Sequence, residues 1–207
     1  MPMRGNVCTT YNNQNVPGLQ NRFNLILATI KECKLLKILH IGCCDAIAQT
    51  DSSCIKRKIL HDYLYDQYPN IDGLQLDGLD INADAIKNMR KIYPKSNFFT
   101  SVDEINEDYD LIIIPEVMEH VDNIKNFVEE IKKIHTKKTI ITVPSINNIE
   151  TYKSTIVIQD NTYKESVHSD HNVWFSPYTL SNIIRKYWGI RVDKVYLLGK
   201  LSLGVVF

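Results

Sequence analysis

The residues best suited to chemistry fall into two groups. Glu116, Glu119 and His120 follow the apolar run Leu111–Ile114 in the stretch DLIIIPEVMEHV, spaced so that one helical turn would present all three on one side. Pro115 cannot donate to a ladder and is expected to end the strand. The three side chains then lie just beyond its carboxyl edge, where ligands bind in open α/β sheets. Further on, His168, His171 and Trp174 fall within seven residues of one another. Two imidazoles and an indole supply a proton acceptor and a flat apolar wall for a sugar or aromatic ring.

The elements that must position these groups can be read from periodicity. Leu111–Ile114 is apolar on both side-chain directions, as a central parallel strand covered on both faces requires. Upstream, Phe23, Ile26, Leu27, Ile30 and Cys33 recur at helical spacing, and KILHIG (37–42) reads as a buried strand running into Cys43 and Cys44. Gly42 allows a tight turn and close approach of a ligand, although the positions of further fingerprint glycines carry Cys44 and Ala46. Ile55, Ile59, Leu60, Tyr63 and Leu64 line a second helix, closed by Pro69. A strand over 74–80 follows and ends at Asp80, an acid placed to accept two hydrogen bonds from a cis-diol. Asn82 caps the next helix, through Ile86, Met89 and Ile92. Gly42 and Asp80 are farther apart than the roughly 20 residues of the dinucleotide fingerprint, which argues against a standard NAD site.

Asn97–Thr100 is a short third strand, Asp122 is expected to cap a long helix carrying Ile124, Phe127, Val128, Ile131 and Ile134, and KKTIITV (137–143) is a fifth strand ending at Pro144. The alternation breaks over 144–175, with a short strand expected near Thr155–Ile158, and so long an excursion from the carboxyl edge reads as a substrate lid. Ser176 and Pro177 open a helix that Gly189 ends. Val192–Leu198 and Leu203–Phe207 form a C-terminal antiparallel hairpin. The expected architecture is a doubly wound, mostly parallel seven-stranded sheet in one α/β domain over 1–207, with 1–20 as a polar arm.

Lys plus Arg and Asp plus Glu balance at 24 each, which removes any global electrostatic case for nucleic acid or an acidic membrane surface. Five cysteines, with no CxxC pair and an odd count, point to free thiols and a cytoplasmic setting. The N-terminal stretch has no apolar signal region, and no run approaches the ~20 residues of a membrane helix.

The order of parts resembles the class I S-adenosylmethionine-dependent methyltransferases over residues 22–207. KILHIGCC, LQLDGLDINADAI, YDLIIIPEVMEHV, TIITVPS and HNVWFSPYTLSNII carry the likeness. The EVMEHV stretch is similar to the branch containing ubiquinone-biosynthesis O-methyltransferases and many sugar and small-molecule methyltransferases. The resemblance implies a Rossmann-like fold and S-adenosyl-L-methionine as cofactor. It places Gly42, with His40 and Cys43 beside it, at the methionine part, Asp80 at the ribose, Ile81 on the adenine, and Ser101 and Val102 on the loop that receives the adenine amino group. Ile114, Pro115 and Glu116 fall near the cofactor's amino-acid end. Cys43, Cys44 and Ala46 depart from the family's glycines, and Ser101 stands where an aspartate is common.

Methyl transfer is an in-line displacement, so the protein supplies positioning and, for a hydroxyl acceptor, a general base. His171, ahead of His168 and His120, is the expected base, while Glu116, Glu119, His120 and Trp174 are expected to contact the acceptor. In some relatives the Glu-x-x-Glu-His constellation holds a divalent metal. The reading is O-methylation of a small polar acceptor such as a sugar or glycan precursor. The alternatives are a silent binding or scaffolding protein, and a metal-dependent methyltransferase of RNA ends or quinone-like rings. Neither the acceptor nor the oligomeric state is encoded in these motifs.

Overall fold

The computed structural model describes residues 21–44, 59–146, 156–159, 162–165, 169–199 and 202–207. The expected arm over 1–20, Asp45 and Ala46 of the first loop, Ile55, Thr155 and His168 lie outside these residues. A seven-stranded sheet is built from β1 (Lys37–Ile41), β2 (Gln75–Leu79), β3 (Phe98–Phe99), β4 (Tyr109–Pro115), β5 (Thr136–Pro144), β8 (Tyr196–Leu198) and β9 (Ser202–Val206). Its order is β3-β2-β1-β4-β5-β9-β8, parallel except where β9 runs against β5 and β8. The two further strands, β6 (Ile156–Gln159) and β7 (Thr162–Glu165), pair as a separate antiparallel hairpin within the 144–175 excursion.

β4 is central because it is dry on both sides. Ile112 and Ile114 join Leu39, Ile41, Ile141 and Val143 on one face, and Leu111 and Ile113 join Ile38, Leu76 and Ile140 on the other. All four β4 residues are fully buried, each worth roughly 1.5–3 kcal/mol of transfer free energy. Helix α1 (Arg22–Cys33) and α2 (Leu60–Tyr65) cover the second face through Leu25, Ile26, Ile30 and Leu64, while α4 (Ile124–Ile131) and α5 (Pro177–Ile183) cover the first through Ile124, Phe127, Ile131 and Leu180. Helix α3 (Ala83–Ile92) packs Ile86 and Met89 with Tyr93, Phe98, Cys43 and Cys44 in a third cluster.

Several boundaries differ from the sequence expectation for identifiable reasons. Pro115 lies inside β4, opposite Thr142. The Glu116 N–H bonds to the Thr142 carbonyl across to β5, so by alternation the missing Pro115 donor would have faced β1, whose pairing with β4 ends at His40 opposite Ile113. Asn123, not Asp122, caps α4 by accepting from the Asn126 N–H, and α4 ends at Ile131, leaving Ile134 buried in the turn beyond it. α1 buries Leu25 rather than Leu27, and Cys33 is exposed. Pro69 sits within a 3-10 turn over Tyr68–Asn70 that follows α2. Ser176 and Gly189 bound the last helix as expected, with α5 continuing as a π-helical stretch through Ile184–Trp188.

Candidate active site

Residues 116–120 leave β4 as a tight turn rather than the expected helix, closed by the His120 N–H on the Val117 carbonyl. Glu116 adopts φ +53°, a left-handed conformation uncommon outside glycine. Its carboxylate accepts from Thr142 Oγ1 at 2.9 Å and Ser202 Oγ at 3.4 Å, with Arg22 Nη1 at 3.9 Å. Burial raises its pKa, and Arg22, Thr142 and Ser202 oppose the rise. Glu116 is thus tied to β5 and β9, while its charge still reaches Glu119 and His120.

Glu119 points inward. It is 1% exposed, and neither carboxylate oxygen has a hydrogen-bond partner among the described residues. Burial, reinforced by the Glu116 charge, pushes its pKa up to about 8. His120 Nε2 lies 3.7 Å from its Oε1, while His120 Nδ1 meets Asp170, at 2.9 Å from the carbonyl and 3.0 Å from the carboxylate.

The end of the 144–175 excursion is fastened to this turn. The Asn172 backbone N–H donates to the Glu119 carbonyl at 2.7 Å, and its side-chain amide donates to the His120 carbonyl at 3.0 Å. The Ile146 N–H donates to the Phe175 carbonyl, which ties the returning chain to the end of β5. His171 is thus held edge-on to His120 at 4.8 Å between ring centroids, and Trp174 stands edge-on to His171 at 5.9 Å. Ligand atoms of Glu119, His120 and His171 all lie within 4.8 Å of one another. Of the expected Glu116, Glu119 and His120, the last two are in this group and His171 is the third. One carboxylate and two imidazoles form a donor set suited to a divalent transition metal, or to an acceptor hydroxyl.

Gly42, with φ +71°, stands against the same turn at the end of β1. A Cβ there would sit 2.5 Å from Val117 Cγ2, so the turn and Val117 require a glycine whatever binds nearby. The Asp80 carboxylate accepts from the Cys44 N–H at 2.9 Å and the Asn82 N–H at 3.0 Å, which fixes its orientation at the end of β2. Ile81 beside it is 93% exposed. Ser101 caps a 3-10 turn over Val102–Glu104 by accepting from the Asp103 N–H. Ile114 and Pro115 are buried at the end of β4, leaving backbone as what they can offer a ligand.

His40 and Cys43 turn inward instead. His40 is 2% exposed, with its Nδ1 3.2 Å from Nδ1 of the fully buried His61. The Cys43 side chain packs among Ile86, Met89, Tyr93 and Phe98. Arg22 is a group the sequence reading missed: it is partly exposed at the start of α1, and its charge reaches Glu116, Glu119 and His40. The helical spacing of α1 marks only its apolar face, so nothing in the pattern singles out Arg22.

No protein-family model matches the chain, and no curated protein matches it significantly. Solved structures do. The methyltransferase domain of a bacterial CtHen1 superimposes with a TM-score of 0.58 at 16% identity, covering 91% of this chain and 97% of that one. A SAM-dependent methyltransferase from Aquifex aeolicus gives 0.57 at 15%, covering 94% and 93%. Magnesium protoporphyrin IX methyltransferase from Synechocystis PCC 6803, solved with bound SAH, gives 0.55 at 12%, covering 91% and 82%. The chain has the fold of the S-adenosylmethionine-dependent methyltransferases.

Proposed function

We propose that the protein is an S-adenosylmethionine-dependent O-methyltransferase acting on a small polar hydroxyl acceptor, a sugar or glycan precursor in the first instance. The carrying observation is the convergence of Glu119, His120 and His171 at the carboxyl edge of β4, beside Trp174. The cofactor, when bound, supplies an activated methyl group. The residues present fit it. Asp80 is held by two backbone donors with a further lone pair on each oxygen for the ribose hydroxyls, and the bare Ile81 side chain offers an apolar cover for the adenine. Ser101 and Val102 stand on the adjoining loop, and the backbone of Ile114 and Pro115 lines the inner end. Trp174 gives the acceptor a flat wall, and His171 takes the hydroxyl proton with His120 packed beside it. Calorimetric titration with S-adenosylmethionine, followed by mass spectrometry of candidate acceptors, tests the reading. No binding at millimolar cofactor would leave a silent binding protein of the same fold.

A second reading is favoured by the buried Glu119 carboxylate. Glu119, His120 and His171 would hold a divalent cation, whose charge lowers the pKa of the acceptor hydroxyl and relieves His171 of the proton. A sugar diol and the ribose of an RNA end both suit such a site, although the balanced charge of the chain disfavours RNA. Full turnover in excess chelator removes the metal and leaves the trio to bind the acceptor by hydrogen bonds. Loss of turnover that Mg²⁺ or Mn²⁺ restores assigns the trio to the metal.

A further inference from the structure

A second cluster of side chains able to ligate a metal lies between the loop after β1 and the end of β2. The Gly42 and Cys43 N–H groups both donate to the Leu79 carbonyl, which wraps the chain around the end of β2 and brings the adjacent thiols of Cys43 and Cys44 to 3.9 Å between sulfurs. Both are free. Gly78 makes the recess for the first of them: a Cβ at Gly78 would lie 2.6 Å from Cys43 Sγ. The sulfurs and an Asp80 oxygen all fall within 4.8 Å of one another.

The spacing, that of a hydrogen bond between the two thiols, also suits two ligands of one soft cation. Two thiolates at ~2.3 Å from a tetrahedral zinc ion stand ~3.8 Å apart, close to the separation found. Disulfide formation is the competing fate of paired thiols, but neighbouring Cα atoms are only ~3.8 Å apart across a trans peptide, short of the ~4.4 Å a relaxed disulfide needs. The Asp80 carboxylate is oriented by the Cys44 and Asn82 N–H groups, as outer-sphere donors orient metal-bound carboxylates. Cys43 is 1% and Cys44 8% exposed, while Asp80 keeps partial access to solvent and gives a cation its way in.

We propose that Cys43, Cys44 and Asp80 form a binding site for a zinc-class thiophilic cation, and that its occupation excludes the cofactor because the ribose needs the same Asp80 carboxylate. Each thiol releases its proton to solvent on coordination, and three protein ligands leave a fourth position open. The exclusion rests on the cofactor reading above; the metal site does not.

Cobalt(II) titration of the reduced, metal-free full chain tests the site, because thiolate-to-cobalt charge-transfer absorption reports sulfur ligation and is silent for a site of carboxylate and imidazoles alone. The band should saturate near one equivalent, yield to Zn²⁺, vanish in Cys44→Ser, and persist in the triple variant Cys8→Ser/Cys33→Ser/Cys54→Ser. No band in the parent, a band that survives Cys44→Ser, or one lost in the triple variant overturns the site. For the exclusion, one equivalent of Zn²⁺ should raise the calorimetric Kd for S-adenosylmethionine at least tenfold, and an unchanged Kd overturns it. If the metal-free protein binds no S-adenosylmethionine, the cofactor reading and the exclusion both fail, and the cobalt band still decides the metal site.

Discussion

His171 stands edge-on to His120 because the residue after it, Asn172, is bonded twice to the Glu119–His120 turn, once through its backbone and once through its side chain. The excursion after β5 thus delivers an imidazole to a turn that follows β4. If His171 is the base, His171→Ala should lower kcat by about 10²–10⁴-fold while the cofactor Kd barely moves. Asn172→Ala keeps the backbone bond and loses only the one to the His120 carbonyl, so its kcat should fall by less than about tenfold. Steady-state kinetics with the identified acceptor, paired with cofactor calorimetry, checks both. A loss below about tenfold for His171→Ala passes the proton to His120 or to no side chain.

Asp80→Ala should weaken S-adenosylmethionine binding by roughly 2–3 kcal/mol, the scale of charge-assisted hydrogen bonds. The variant also frees the Cys44 and Asn82 N–H groups, so Asp80→Asn, which retains one carbonyl acceptor, should fall between it and the parent. Calorimetry separates the three. Equal affinity for parent and Asp80→Ala would remove the ribose role.

The strands were legible because burial on two faces writes itself as unbroken apolar runs, and Leu111–Ile114 could scarcely be anything else. The caps at Asn82 and Ser176 were legible from side-chain chemistry, and both are found in place. What spacing could not carry was backbone handedness. Glu116, Glu119 and His120 sit at helical intervals, but Glu116, at a left-handed φ, is tied to Thr142 and Ser202, and the third member of the group with Glu119 and His120 is His171, from a distant loop. His40 reads as a residue near the cleft. Only the partner His61, from α2, shows that it is interior.

The conformation of Glu116 makes an unusual ordering of variants. Glu116→Ala and Glu116→Gly both lose the bonds from Thr142 and Ser202, but only glycine adopts φ +53° without steric cost. Glu116→Gly should therefore be more stable than Glu116→Ala by about 1 kcal/mol, the reverse of the usual preference. Urea midpoints at constant m-value measure it. An alanine variant equal to or better than glycine would mean the strand end relaxes.

The buried pair His40 and His61 should make the protein acid-sensitive in a defined window. Burial lowers the His61 pKa from 6.5 to about 3, and burial, His61 and then Arg22 lower that of His40. Well above pH 6.5 both histidines are neutral in the folded and unfolded chains, and they contribute no pH dependence. As pH falls through 6.5 the unfolded chain takes up protons that the folded one refuses, at His61 until about 3, so stability is lost over that interval. His61 alone costs up to ~1.4 kcal/mol per pH unit, hence about 2 kcal/mol between pH 7 and pH 5, and His40 acts in the same direction. Glu119 acts in the opposite sense, since its raised pKa makes the folded chain hold the extra proton between 4.5 and about 8. The parent profile alone therefore mixes the two, whereas the difference between parent and His61→Leu cancels Glu119. That difference should be flat above pH 7 and slope steadily below 6.5, the variant losing less on acidification. A flat difference down to pH 5 would show that His61 is solvated in the native protein.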